Sequence, residues 1–160
     1  MPAGRMKVLC PVDFSGASRA ALRHAAHLAD RSHGAVDVLF VNDPFLTAAA
    51  AAAYDSRGLA SNAAAALKAF VRRTLASTPS RAGIATCITA LGRPAREIVK
   101  VARQRRADLI VMGSHGLSGV RKLMLGSVTE EVLKTAAIPV LVVPPGAARA
   151  RRRTRTSRRR

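Results

Sequence analysis

Short apolar runs rich in β-branched residues alternate along the chain with longer segments in which apolar positions recur every three or four residues. The short runs predict five strands: Met6 to Val12, Val36 to Val41, Ile84 to Ala90, Leu109 to Met112, and Val140 to Val143. The longer segments predict four helices. The first opens at Ser15-Gly16-Ala17-Ser18, where a serine hydroxyl can accept from the free N–H groups of the first turn. It runs to Gly34, with Ala21, Ala25, Leu28 and Ala29 as its apolar stripe. The second covers Gly58 to Thr78 on Leu59, Ala63, Ala66, Leu67, Phe70 and Leu75, and Pro79 stops it. The third starts at Pro94, a favoured first-turn residue, and buries Ile98, Val101 and Ala102. The fourth follows Gly126 and carries Val128, Val132, Leu133 and Ala136. Strand and helix in alternation is the pattern of βαβ units, so an α/β fold with a parallel sheet is expected.

Residues 43 to 56 break the alternation. Six consecutive alanines, Ala48 to Ala53, have helical propensity, but Asp43-Pro44 and Asp55-Ser56-Arg57-Gly58 flank them with loop signals. They read as an insertion and a candidate flap over a site. At 160 residues the chain fits one domain with a sizeable core. Aromatics make up only 3%, so that core is expected to consist of Val, Leu, Ile and Ala. No run of 18 apolar residues occurs, and Met1-Pro2-Ala3-Gly4-Arg5 leads into a strand rather than a secretory apolar region. A cytoplasmic protein without a transmembrane segment is the expectation.

The richest local chemistry lies after the fourth strand, where Gly113-Ser114-His115-Gly116 is followed by nine residues and then Gly126-Ser127. Glycines let a backbone approach a ligand closely and adopt positive φ, so that successive N–H groups can point at an anion. A helix starting near Ser127 adds unpaired N–H groups and the positive end of its dipole. Spacing alone leaves a plain strand-terminating turn equally open. Other nucleotide motifs are missing: there is no Gly-x4-Gly-Lys-Ser/Thr loop, and no Gly-x-Gly-x-x-Gly after the first strand. No His-x-Gly-His or Ser-Gly-Gly-x-Asp-Ser adenylyl-transfer motif is present, and no catalytic Ser-His-Asp or Cys-His set can be assigned. His24 and His27 share a helix face but lack further ligands for a metal.

Gly113-x-x-Gly116-x9-Gly126-Ser127, continued by Val128-Thr129-Glu130 and by Ile138-Pro139-Val140-Leu141-Val142-Val143, resembles the signature of the universal stress protein family. The likeness includes Val8-Leu9-Cys10-Pro11-Val12-Asp13-Phe14-Ser15 and covers roughly residues 5 to 145. It implies a doubly wound domain over residues 1–146, with a five-stranded parallel sheet of order 3-2-1-4-5 and helices on both faces. In such a sheet ligands settle outside the carboxyl ends of strands one and four, where the winding reverses. The resemblance implies ATP as the ligand, and magnesium is the usual companion of a triphosphate. Asp13 would bond adenine or ribose, unless it is only a helix cap. Val41 would hold the adenine edge through its backbone. Gly113, Ser114, His115 and Gly116 would wrap ribose and phosphates, and Gly126, Ser127 and Val128 would offer N–H groups to the terminal phosphates. Arg121 and Lys122 are candidate counter-charges or solvated loop cations. The resemblance also implies a homodimer joined through Val140 to Val143. With this strand order Cys10 and Cys87 stand two strands apart, about 9 to 10 Å, too far for a disulfide, and two buried reduced thiols are expected.

Charge adds a separate signal. Residues 149–160 hold eight arginines and no acid; the remaining 19 basic residues against nine acids still leave +10 of the total +18. The tail, 147–160, is expected to be disordered and to attract nucleic acid or an anionic surface without sequence preference, having no aromatics for stacking. Three functions follow: an ATP-binding stress sensor or regulator, a nucleic-acid-associated protein working through Arg149–Arg160, and a slow ATPase or self-phosphorylating protein with Ser127 or Ser114 as acceptor.

Overall fold

The computed structural model describes residues 5–43, 59–78, 83–115 and 125–144. Its strands are β1 (Lys7–Val12), β2 (Ala35–Asn42), β3 (Ile84–Leu91), β4 (Leu109–Gly113) and β5 (Val140–Val143). The helices are α1 (Gly16–Arg31), α2 (Leu59–Leu75), α3 (Pro94–Arg105) and α4 (Ser127–Thr135). All strand pairs are parallel and the order is β3-β2-β1-β4-β5, as the family resemblance implies.

The central strands read as unbroken apolar runs because both their faces are covered. Val8, Cys10 and Val12 of β1, with Val36, Val38 and Val111, pack on one face against Ala21, Leu22 and Ala25 of α1 and Leu67 and Phe70 of α2. Leu9, Leu39, Ile110 and Met112 alternate onto the opposite face, against Ile98, Val101 and Ala102 of α3 and Val132 of α4. Alanine along α1 is what allows that helix to lie close to the sheet: Ala17, Ala20, Ala21, Ala25, Ala26 and Ala29 are all buried. The stripe read from spacing chose Leu28, which is only half-buried, over Leu22, which is fully buried.

Other boundaries shift for physical reasons. The α2 helix ends at Leu75, where the Thr78 N–H closes a turn on the Leu75 carbonyl, rather than running to Thr78; its Ala66 is exposed. The α1 helix ends at Arg31, and His33, not Gly34, takes the left-handed residue after it, at φ 50°. Gly34 has a different task, because a Cβ there would run into the backbone of Met6. The apolar face assigned to α4 included Leu133, which is 43% exposed, while Thr129 turns inward at 3%. Gly58, Pro79, the Ala48–Ala53 segment and the arginine-rich tail lie outside the described residues.

Cys10 and Cys87 pair in register with opposite sides of Val38, so β2 lies between them, two strand steps separate them, and both are free. Cys10 is fully buried, and desolvation pushes its thiol well above its ordinary range. Cys87 departs from the expected burial: β3 is a sheet edge, so its side chain is half-exposed. Its thiol is raised by partial desolvation and partly lowered again by the Lys68 charge. A thiol reagent such as Ellman's at pH 8 is expected to titrate Cys87 in the native protein and Cys10 only after unfolding; equal native rates would contradict this packing.

Candidate functional site

The chain leaves β1 toward α1 on one face of the sheet and leaves β4 toward α4 on the other, although the two strands are neighbours. That reversal opens a crevice at their carboxyl ends. A cavity of about 200 Å³ occupies it. Its apolar part is formed by Pro11, Leu39, Val41, Pro94, Ile98 and Met112, and its polar part by Asp13, Ser18, Gly113, His115 and the start of α4 from Gly126 to Thr129.

Seven of the nine residues expected from the sequence line this cavity: Asp13, Val41, Gly113, His115, Gly126, Ser127 and Val128. Ser114 does not. Its N–H extends the β4–β5 ladder by donating to the Val143 carbonyl at 3.0 Å, and its carbonyl accepts from the Gly126 N–H at 2.9 Å. Its Oγ lies 2.8 Å from His115 Nδ1 in a buried position. Neither the Ser114 N–H nor the Gly126 N–H is therefore available to a ligand, which corrects the donor set expected from the motif. Among the described residues, the N–H groups of Ser127, Val128 and Thr129 at the start of α4 have no protein acceptor, and Gly126 provides no side-chain cap. Gly116, Arg121 and Lys122 lie outside the described residues.

Asp13 faces the cavity and is not the cap of α1, a place that Ser15 takes. Its Oδ1 accepts from the Ser15 N–H at 3.0 Å. Ser15 in turn caps α1 by accepting from the Ser18 N–H at 3.1 Å. The turn between them needs Phe14 at φ 65°, a left-handed conformation costing roughly 1–2 kcal/mol for a residue with a side chain. The Phe14 ring packs on Phe40 at 4.5 Å and on Phe70 at 5.3 Å, contacts that offset the strain.

Gly113 is small for a steric reason more than a conformational one. A Cβ on it would lie 2.9 Å from the Ala17 carbonyl carbon, so the end of β4 passes directly against the first turn of α1. Among the described glycines only Gly92, at φ 148°, is left-handed, so the positive φ expected of the loop is not what Gly113 contributes. The described lining holds one carboxylate, Asp13, and one imidazole, His115, without a lysine or arginine. Anion attraction there comes from main-chain N–H groups and the α4 dipole.

Sequence reading missed the walls supplied by other strands and helices: Leu39 from β2, and Pro94 and Ile98 from α3. Pro94 and Ile98 sit one turn apart just past the carboxyl end of β3, so the topology would have pointed to them. Thr129 was missed because apolar periodicity ignores a buried threonine.

Residues 4–144 match the family model described as the universal stress protein family. The chain belongs to that family. Universal stress protein MJ0531 of Methanocaldococcus jannaschii is 36% identical over 142 residues, 86% of this chain and 81% of that one. Among solved structures, the protein MJ0577 of the same archaeon superposes with a TM-score of 0.72 at 30% identity, covering 88% of this chain and 96% of the other. A universal stress protein solved in complex with cAMP superposes with a TM-score of 0.61 at 25% identity, covering 88% and 97%. The arginine-rich tail of this universal stress protein lies beyond the matched residues. No helix among the described residues is long and apolar enough to cross a membrane.

Proposed function

We propose that this universal stress protein binds an adenine nucleotide, ATP with magnesium, in the cleft between β1 and β4, and acts in the cytoplasm as a stress-response sensor or regulator. One observation carries the reading: an uncapped helix start, with the Ser127, Val128 and Thr129 N–H groups unbonded among the described residues, opens into the same cavity as an apolar slot and a carboxylate. The slot between Leu39, Ile98, Pro94 and Met112 suits a planar base, with the Val41 backbone at its edge. Asp13 suits a ribose hydroxyl or an adenine donor, and the α4 start suits phosphate. Gly113, Ser114 and His115 would lie at the strand end beside the ribose, with Ser114 acting through its hydrogen bonds to His115 and Gly126; Gly116, outside the described residues, keeps the ribose and phosphate role that the resemblance implies. A relative solved with cAMP supports a nucleotide as the ligand class. Asp13 is the one carboxylate in the described lining, which suits magnesium carried in by the triphosphate better than a dedicated metal cage. Hydrolysis by this set of groups would be slow and incidental.

The test is chemical identification of what the protein holds. Nucleotide released by denaturing the purified full chain is expected to be adenine-based, and removal of residues 147–160 is expected to leave it in place. A preparation that neither retains nor takes up adenine nucleotide contradicts the proposal. The eight arginines of 149–160 favour a second activity, salt-sensitive nucleic-acid binding, which the same truncation would abolish.

A homodimer is proposed through β5. It is a sheet edge, Leu141 on it is 38% exposed, and Leu133 of α4 is 43% exposed. Leu141→Glu places like charges near a two-fold axis and is expected to convert a dimer mass to a monomer mass in sedimentation at micromolar concentration. A wild-type monomer would contradict the dimer.

A further inference from the structure

Resting on the nucleotide reading, we infer that Thr129 is a positioning residue: its hydroxyl sets the direction in which α4 aims its first-turn amides at a phosphate. Thr129 is 3% exposed and lines the cleft, and its Oγ1–H donates to the Gly113 carbonyl at 3.0 Å. Packing alone does not require the hydroxyl, since valine has nearly the same shape and would fill the same space beside Val132. What the hydroxyl adds is a second tether. The start of α4 is already held to the end of β4 by the Gly126 N–H on the Ser114 carbonyl, at 2.9 Å. One such bond is a pivot, about which a helix can tilt and roll. The Thr129 bond acts three residues further along, about 4.5 Å up the helix axis, and ends on the adjoining peptide unit of β4. Two attachment points on a rigid helix fix its rotation as well as its position.

The three N–H groups without an acceptor among the described residues, those of Ser127, Val128 and Thr129, lie within the span of these two tethers. Their value to an anion depends on converging on one point, because a hydrogen bond weakens steeply as its angle opens. The slot for the base is walled by Leu39 of β2, Pro94 and Ile98 of α3 and Met112 of β4, none of them a residue of α4. Loss of the Thr129 hydroxyl therefore weakens the hold on phosphate and spares the hold on the nucleoside.

The experiment compares the full chain with Thr129→Val and Thr129→Ser, measuring dissociation constants for ATP and for adenosine by calorimetry. Hydrogen exchange of the 125–135 segment is followed in parallel without ligand. Thr129→Val is expected to weaken ATP on the order of tenfold while adenosine stays within about twofold, and to speed exchange in that segment. Thr129→Ser, which keeps the donor, is expected to restore both readouts. Equal weakening of ATP and adenosine by valine, or no rescue by serine, overturns the positioning role and leaves the nucleotide site standing. A wild-type chain that binds neither ligand overturns both.

Discussion

Gly34→Ala is expected to cost about 3 kcal/mol or more of folding stability, the upper end for forcing an extra group into a packed site. A Cβ at Gly34 would overlap the Met6 carbonyl oxygen and come within 2.9 Å of its carbon. Neither side can give way cheaply. The Gly34 N–H is bonded to the Ala29 carbonyl at 2.7 Å, which fixes it to the end of α1, and the Met6 carbonyl accepts from the Ala35 N–H at 3.0 Å, the bond that starts the β1–β2 pairing. Relief requires breaking one of these or moving the helix. A drop in melting temperature of roughly 6 to 12 °C should accompany the loss in a chain of this size. Gly16→Ala is the control: a Cβ there meets nothing within 4 Å, and the residue opens a helix. Denaturant unfolding that places Gly34→Ala within about 1 kcal/mol of wild type would contradict the close approach of the two backbones.

Ser127→Pro is expected to leave the fold intact and to weaken triphosphate binding by roughly 10- to 100-fold. Ser127 is the first residue of α4, the helical position where proline is best tolerated because its N–H has no intrahelical partner. Gly126 before it lies at φ −67° and ψ 150°, a conformation that a following proline accepts. The substitution thus deletes one cleft-facing N–H, together with the Ser127 hydroxyl, without breaking the helix. A hydrogen bond to a charged group contributes about 1.5–3 kcal/mol, which is the stated range of affinity. Calorimetric titration with ATP alongside a thermal melt separates the two effects. Unchanged affinity in a normally melting variant would remove the start of α4 from the site.

These two sites show where sequence was legible and where it was not. The five strands announced themselves because a sheet covered on both faces needs apolar side chains at successive positions, as in Val8 through Val12. Strand limits were less visible: Asn42 and Gly113 continue the hydrogen-bonded ladder without contributing an apolar signal. Strand order came from the family resemblance, since periodicity carries no information on which strands are neighbours.

In α4, nine residues with few apolar positions could not settle which face is buried. Leu133 was taken as core, whereas Thr129 holds that place through its bond to Gly113. The glycine motif led to the end of the sheet that carries the cavity, for a partly different reason from the one it suggested. Gly113 admits the first turn of α1, and the amides of Ser114 and Gly126 are bonded within the protein. The proposed base slot was hidden because Leu39, Pro94, Ile98 and Met112 come from three separate elements, each with its own reason to be apolar.

The most direct test of the central claim is a crystal structure of the full chain soaked in millimolar Mg-ATP. The account predicts density in the β1–β4 cleft, with adenine between Leu39 and Ile98 and phosphate oxygens about 3 Å from the N–H groups of Ser127, Val128 and Thr129. A cleft that stays empty, or a nucleotide whose phosphates point away from α4, would contradict it.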